Sequence, residues 1–468
     1  MIGGVSTGGG SRERLVGSTI LLTGATGFIG KAVLAKILAL ECFGTVLVLV
    51  RAADAMAAQK RLREEVVESE ALAGLPAAEL LTEGRLRAVA GDVEQGGPVR
   101  GAEPAWEEVE TVIHCAASVS FEEPLDEILE LNALGPARLL AGLRAGGANP
   151  HFVHVSTAYA AECRRELVPE GGPAHPGLEG LEAEALLALA REWRAESSEG
   201  TGELSRRGRR YALAAGWPDT YALTKALGEQ LLVGESERLT IVRPTIVESA
   251  LASPRPGWLE GIKVADPLIL AYAAGGLTHL PGRADNPIDV VPVDLVANAC
   301  IAAAAYPPAE GTRTIAIGSS ARNTLTLGGL AARIKTHFRE QPLRRRNGAA
   351  IEIGELRFVD RKVALRRSMR REALARAAAR LSSVAPAATA KTLRRNGKLA
   401  GQVTRMVKIY GPYTELNCRF DDANARALAA AMSPDDRAAL PFDPAVLDWD
   451  DYLLGSHLPQ VQRMAEQR

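Results

Sequence analysis

Residues 20–30 read Ile-Leu-Leu-Thr-Gly-Ala-Thr-Gly-Phe-Ile-Gly: an apolar run, then Gly24, Gly27 and Gly30 at intervals of three, then a helical pattern over Lys31–Leu40. In such a strand–turn–helix unit each glycine has its own task. Gly24 makes the tight turn out of the strand. Gly27 lets backbone N–H groups approach a pyrophosphate, and Gly30 lets the helix close on the sheet with its positive end toward the phosphates. The spacing is Gly-x-x-Gly-x-x-Gly rather than Gly-x-Gly-x-x-Gly. The flanking strand and helix supply the context that glycines alone lack, and together they predict a dinucleotide-binding turn.

Working outward, apolar strand-like runs alternate with helical segments. Candidate strands are Thr19–Leu22, Thr45–Val50, Leu86–Ala90, Thr111–His114, His151–Val155 and Leu239–Arg243, with helices such as Ala55–Ser69 and Leu125–Leu143 between them. This alternation predicts an α/β fold, a Rossmann-like doubly wound parallel sheet. Residues 161–215 interrupt it with Glu, Gly, Arg and three prolines, and read as an inserted cap with one helix over Leu181–Arg194. The expected organisation is a flexible N-terminus (1–17), a nucleotide-binding catalytic domain (18–332, including the cap) and a smaller, mainly helical, basic C-terminal domain (333–468).

At 468 residues, with 47% hydrophobic and 24% charged residues and a net charge of −1, the chain has the composition of a soluble globular protein and no overall attraction for nucleic acid. Five scattered cysteines without metal spacing suggest a reducing, cytoplasmic setting, and the histidines form no H-x-x-x-H pair; no metal site is expected. The most apolar stretch, Leu295–Tyr306, is too short to span a bilayer, which takes roughly 20 residues. Peripheral membrane contact stays open. Between Arg333 and Tyr410 there are 21 Lys or Arg against 5 Asp or Glu, a surplus of 16. Such a surplus points to an acidic partner or a phosphate-rich ligand, or else to a solvated arginine-rich face.

The candidate chemistry follows the strand ends. Arg51 stands at the end of the second strand, about 20 residues past the glycine turn, where an arginine suits the 2′-phosphate of NADP better than the ribose hydroxyl of NAD; Lys60 and Arg61 can add charge. Asp92 after the third strand can accept from the adenine amine and Val93 can cover the ring, although an ordinary Asp turn explains both. Small Ala116 allows close approach of backbone and dinucleotide, and His114 reads as structural. Ser156 and Thr157 end the fifth strand at the crevice where such sheets bind ligands, Thr157 being favoured to hold a substrate oxygen. Pro244 ends the sixth strand near the nicotinamide position. Tyr221 and Lys225, four apart, share one helix face. An ammonium beside a phenol lowers its pKa from about 10, so that the tyrosine can exchange a proton near neutral pH. The candidate catalytic residues are therefore Thr157, Ser156, Tyr221 and Lys225. The candidate cofactor residues are Thr23, Gly24, Thr26, Gly27, Phe28, Ile29, Gly30, Arg51, Asp92, Val93, Ala116, Tyr221, Lys225 and Pro244.

Together these residues resemble the extended short-chain dehydrogenase/reductase superfamily. Pro256-Gly257-Trp258-Leu259-Glu260-Gly261, Asp289-Val290-Val291-Pro292-Val293-Asp294 and Ser156-Thr157-Ala158-Tyr159 narrow the resemblance to fatty acyl-CoA reductases. So do Tyr410-Gly411-Pro412-Tyr413, Arg419 to Asn424, Asp448 to Tyr452 and His457-Leu458-Pro459, which resemble that family's C-terminal domain. The likeness spans about residues 18–463. It lacks the C-terminal membrane helix of many eukaryotic members and the adenylation and carrier domains of carboxylic acid reductases.

The resemblance implies NADPH-dependent reduction of a long-chain fatty acyl-CoA, or an acyl carrier protein thioester, to a primary alcohol through a bound aldehyde, with release of CoA. Thr157 and Tyr221 would hold the oxyanion, Tyr221 supplying the proton with Lys225 in support. The basic region can attract CoA phosphates, an acidic carrier protein or an anionic lipid surface. Three other readings stay open: a two-electron reductase stopping at the aldehyde, a sugar or sterol dehydrogenase or epimerase, and a nucleotide-sensing protein without catalysis. Oligomeric state, chain length and saturation preference have no signature in the sequence.

Overall fold

The computed structural model describes residues 15–467 apart from 99–105, 162, 164–165, 172–175, 198–199, 264, 346 and 381–386. Most of the N-terminal segment read as flexible lies outside the described residues. Seven parallel strands form the main sheet: β1 (Thr19–Thr23), β2 (Thr45–Val50), β3 (Leu86–Asp92), β4 (Val109–His114), β5 (His151–Val155), β6 (Arg238–Pro244) and β7 (Gly311–Ile317), in the spatial order β7-β6-β5-β4-β1-β2-β3, with Gly97–Pro98 added antiparallel beyond β3. Strands such as Thr-Val-Leu-Val-Leu-Val in β2 are buried along almost their whole length, as expected of a parallel sheet covered on both faces. Chain order reverses between β1 and β4. The crevice at their C-terminal ends is the position where open α/β sheets bind ligands.

The sequence reading contained six of these strands. The seventh, β7, escaped it because its first half, Gly311 to Thr314, is exposed or half-buried and reads as polar; it pairs in register with β6 from Gly311↔Arg238 to Ile317↔Pro244. The helix α1 (Phe28–Leu40) leaves the glycine turn and packs against α5 (Val293–Ala305), whose thirteen residues are all buried. That burial accounts for the apolar Leu295–Tyr306 run. Asp289 and Asp294, which flank the start of α5, act as internal fasteners. Asp289 accepts from Thr245 Oγ1 (3.0 Å) and Ser319 N (2.7 Å), joining the ends of β6 and β7. Asp294 accepts from Leu251, Ala252 and Ser253 backbone N–H groups at 2.8–3.0 Å.

Among its described residues the insertion holds two α-helices rather than one, α2 (Ala183–Glu196) and α3 (Thr201–Ala214), and leads into α4 (Thr220–Leu232), the helix that carries Tyr221 and Lys225. A helix over Leu327–Glu340 runs across the domain boundary expected at residue 333. Beyond it, α6 (Arg361–Arg380) and α7 (Ala387–Thr414) pack on one another. Gly397 lies against Ala375 and Gly401 against Glu372, so the pair is antiparallel. The chain then returns to the sheet. Arg419–Phe420 pairs with Leu167–Val168 of the insertion, and the Ala423–Ala431 helix packs on β7. Glu170, also in the insertion and buried, accepts from Ala316 N (2.6 Å), Ala425 N (3.1 Å) and Asn424 N, locking the last strand to the start of that helix.

Candidate active site

The glycine turn does three separate jobs. Gly24 has φ +72°, and a Cβ there would sit 2.5 Å from Ala116 N, so β1 and the loop after β4 are in backbone contact at the point of chain reversal. A Cβ on Gly30 would fall 2.1 Å from Gly24 O; only glycine lets α1 start this close to the turn. Gly27 is exposed and caps α1 without a side-chain hydrogen bond or an acid in the first turn, which leaves the first-turn N–H groups for an anion. Thr26 is half-buried in the same turn. Thr23 and His114 are internal supports: Thr23 Oγ1 accepts from Ala116 N (3.2 Å) and bonds His114 Nδ1 (2.9 Å). Burial and the Lys225 charge pull His114 down to about 3, so it stays neutral.

Phe28 stacks at 5.0 Å on Trp258, and Lys31 Nζ meets Glu260 Oε1 at 2.5 Å, so the Pro256–Gly261 motif folds onto the start of α1. The sequence reading used that motif only as a family mark; its Glu260 was the available sign of a charge partner. Beside the turn, Arg51, Ala52, Ala53, Gly91, Asp92, Gln95 and Gly97 line a pocket of about 370 Å³. Arg51 is largely exposed and stands 4.0 Å from Asp92 Oδ2. Asp92 Oδ1 accepts from Glu94 N (3.0 Å), the turn-capping role weighed against adenine binding. Val93 is buried against Gly135 and is not in the pocket lining. Lys60 and Arg61 pair with Glu64 and Glu65, and Arg61 also donates to the Arg51 carbonyl (2.9 Å). The uncapped first-turn N–H groups that follow Gly27 and an exposed guanidinium beside an open pocket fit the phosphates of a dinucleotide.

At the end of β5, the chain turns after Val155. Thr157 Oγ1 accepts from Tyr159 N (3.4 Å), and the Thr157 hydroxyl is close enough to the Tyr221 phenol to pull its pKa down. Since the threonine oxygen accepts from the backbone, its hydrogen is free for the phenol oxygen, and the phenol hydrogen for a ligand. Ser156 is drawn back: its N–H donates to Val242 O (2.8 Å), and its buried Oγ has no hydrogen-bond partner among the described residues. Lys225 Nζ donates to the Val155 carbonyl (2.7 Å), and burial lowers it to about 8. The expectation of an acidified phenol is not met. Burial drives Tyr221 above the ordinary tyrosine range, against the pull of Thr157, and the phenol is neutral at physiological pH. Neighbouring Cys115 is pushed up to about 12 by burial, which removes it as a thiolate nucleophile. Pro244 is buried at the end of β6. Asn132, half a turn into a widened helical segment (Glu130–Leu134), clamps the Ser118 backbone through both N–H and C=O (2.8 and 2.9 Å) and reaches Thr224 Oγ1 (3.4 Å).

Sequence reasoning missed how the C-terminal segment completes this site. Phe121 lies edge-on to Tyr221 (5.8 Å) and to Tyr410 (5.9 Å), and 5.7 Å from Tyr413. Tyr159 stands edge-on to Tyr413 (4.8 Å) and Phe420 (5.5 Å). Tyr413 Oη donates to Asp219 Oδ2 at 2.5 Å, and Asp219 Oδ1 caps α4 through Ala222 N at 2.9 Å. The start of the Tyr221 helix is thus held from the far end of the chain. The signal was present in Asp219, a helix cap two residues before the candidate tyrosine.

Two family models, both described as male sterility protein, match this chain, one of the NAD-binding type over residues 22–300 and one over 379–458. Fatty acyl-CoA reductase 8 of Arabidopsis thaliana is 31% identical over 95% of this chain and 97% of its own length. The chain belongs to the fatty acyl-CoA reductase family. It is an oxidoreductase with a nicotinamide-dinucleotide fold. The alcohol-forming fatty acyl-CoA reductase of Simmondsia chinensis is 29% identical over 96% of this chain and 97% of its own. Among solved structures, the terminal R domain from the myxalamid PKS-NRPS pathway superposes with a TM-score of 0.61 at 18% identity, covering 96% of this chain and 91% of that one, a likeness of fold. Among the described residues no helix is long and apolar enough to cross a membrane.

Proposed function

We propose that this chain is an NADPH-dependent fatty acyl-CoA reductase that takes a long-chain acyl thioester through a bound aldehyde to the primary alcohol. The observation that carries the reading is the meeting of Thr157 and Tyr221 with an aromatic wall from the C-terminal segment, in a chain of this family. The first helical turn after Gly27 and Arg51 would hold NADPH, which when bound would supply the hydride. The chain's own residues do the rest. The thioester carbonyl oxygen takes the position in front of the Tyr221 phenol. The Thr157 hydroxyl polarises that phenol, and the phenol delivers its proton to the oxyanion as it forms. A buried ammonium at Lys225 stabilises the negative charge left behind. As the hemithioacetal collapses, its hydroxyl proton returns to the Tyr221 phenolate and CoA leaves as the thiolate, which takes a proton from water; the aldehyde then faces the restored phenol for a second round with a second NADPH. Phe121, Tyr410 and Tyr413 give the acyl chain an apolar wall and keep water from the reacting carbon.

The basic α6–α7 pair serves an anionic partner. Its outer face carries Lys391, Arg395 and Lys398 with exposed Leu374 and Leu399, the mixture that suits an anionic lipid surface. CoA phosphates and an acyl carrier protein compete for the cations nearer the site, such as Lys408.

The test is NADPH oxidation with palmitoyl-CoA while free CoA is counted. Two NADPH per CoA support the alcohol-forming reading. One per CoA with trapped aldehyde supports the two-electron enzyme, and no oxidation with any acyl thioester ends the proposal. Tyr221→Phe should lower turnover by about 10²–10⁴-fold with NADPH affinity kept; unchanged turnover would remove the phenol from the mechanism.

A further inference from the structure

Away from Tyr221, three ionisable side chains from distant parts of the chain converge in the interior. Glu248 follows β6, Asp266 opens the Asp266–Ala273 helix, and His457 lies in the last helical segment. All three are buried, and one ligand atom from each lies within 4.8 Å of the others. His457 Nε2 is 3.4 Å from Asp266 Oδ1 and 4.0 Å from Glu248 Oε2. Asp266 is 0% exposed, and its Oδ1, aimed at the centre of the group, has no hydrogen-bond partner among the described residues. Among those residues no lysine or arginine pairs with either carboxylate. Two carboxylates taken out of water need a counter-charge, a proton or a cation.

We propose that Glu248, Asp266 and His457 hold a divalent metal ion. Two carboxylate charges balance a dication, and a set of two oxygens and one imidazole nitrogen suits Zn²⁺, Mn²⁺ or Fe²⁺. The surroundings orient the ligands. Ser249 Oγ lies 3.0 Å from His457 Nδ1; with Nδ1–H donating to it, the Nε2 lone pair turns toward the two carboxylates. Glu248 Oε1 is engaged by Ala265 N (3.2 Å) and Asp266 Oδ2 by Lys263 N (3.2 Å), leaving the other oxygen of each for the ion. Tyr452 stacks on the imidazole (5.9 Å, 18°) and donates to Ser249 O (2.8 Å), closing the site from one side. Since the ligands lie at positions 248, 266 and 457, no local spacing marks them in the sequence. The ion fastens the last helical segment to the region that follows β6, a structural task separate from hydride transfer.

The purified full chain is assayed for metal by plasma mass spectrometry, then stripped with a chelator and titrated with Zn²⁺, Mn²⁺, Fe²⁺ and Mg²⁺ by calorimetry and thermal unfolding. The expected result is a single bound ion per chain, a melting temperature lowered by chelation and restored by one of these ions, and both effects abolished in Glu248→Gln and in His457→Ala. Should those variants fail to fold, the wild-type metal content and the recovery of its melting temperature decide. A wild-type chain with no stoichiometric metal and no thermal response to any of the four ions overturns the proposal and leaves a proton shared between the carboxyls.

Discussion

Changing Tyr413 to phenylalanine tests the link between the C-terminal segment and the helix that carries Tyr221. The Tyr413 hydroxyl donates to Asp219 Oδ2 at 2.5 Å, and Asp219 caps the helix that carries Tyr221. Burial already raises Asp219 to about 6, against the bonds from Tyr413 and the backbone. At about 1.4 kcal/mol per tenfold change in acidity, ionised Asp219 costs roughly 3 kcal/mol at neutral pH. Losing a hydrogen bond to a buried charge adds about 1.5–3 kcal/mol. Because the folded-state value lies above the unfolded one, this cost is relieved as pH falls. The variant's Asp219 is raised further, so the variant and wild type differ only as pH rises through about 6. With an unfolding entropy near 1 kcal/mol/K for a chain this long, the melting temperature at about pH 8 should drop by roughly 1.5–3 °C, with almost no change at about pH 5. Turnover should fall about 10- to 100-fold through misplacement of Tyr221. Thermal unfolding across pH, together with NADPH oxidation, reads both. Equal destabilisation at the two pH values would refute the electrostatic argument, and unchanged turnover would refute the positioning one.

Arg51→Ala should weaken NADPH binding by about 10- to 100-fold through loss of charge-assisted bonds, with NADH binding unchanged; fluorescence titration of both cofactors checks this, and equal losses would count against NADP selection by Arg51. Because Lys225 lies at about 8, kcat/KM for the cofactor should decline as pH rises through that value while the ammonium is lost, and the raised Tyr221 should add no limb there; a profile flat through this range contradicts a role for the charge. Neutralising Arg395 and Lys398 to glutamine should weaken sedimentation with anionic vesicles by roughly 30-fold, at about 1 kcal/mol per cation, and leave the palmitoyl-CoA KM unchanged, since these residues lie about 25 Å along the helix from Tyr413. An altered KM with intact vesicle binding would assign the patch to CoA.

Local pattern was enough for the nucleotide half because each of its elements is specified by neighbours in sequence. The turn needs glycine at three adjacent backbone contacts, and β1 and β2 are dominated by unbroken apolar runs. What the pattern could not give were contacts closed over long separations. Edge strand β7 is stabilised by pairing to β6, 73 residues earlier, rather than by its own composition. The second cap helix, α3, is charged and reads as loop until Leu204, Gly208 and Ala212 are seen to be buried along one face. At the site, Tyr221 and Lys225 were legible from their spacing, but their proton states were not. Those depend on burial and on which group Lys225 meets, here the Val155 carbonyl.

Those proton states bear on the direction of the chemistry. Burial favours the uncharged form of both groups: it raises Tyr221 and lowers Lys225. A neutral phenol is the form that can give a proton, which is what reduction of a carbonyl asks of it. An anion brought near Lys225 raises its pKa and restores the full ammonium. Cofactor phosphates and a developing oxyanion are both anionic, so occupancy itself charges the lysine. As the phenol gives up its proton, that ammonium lowers the cost of the phenolate left behind. The acidification that the four-residue spacing suggests then follows from the negative charge that cofactor and substrate bring to Lys225.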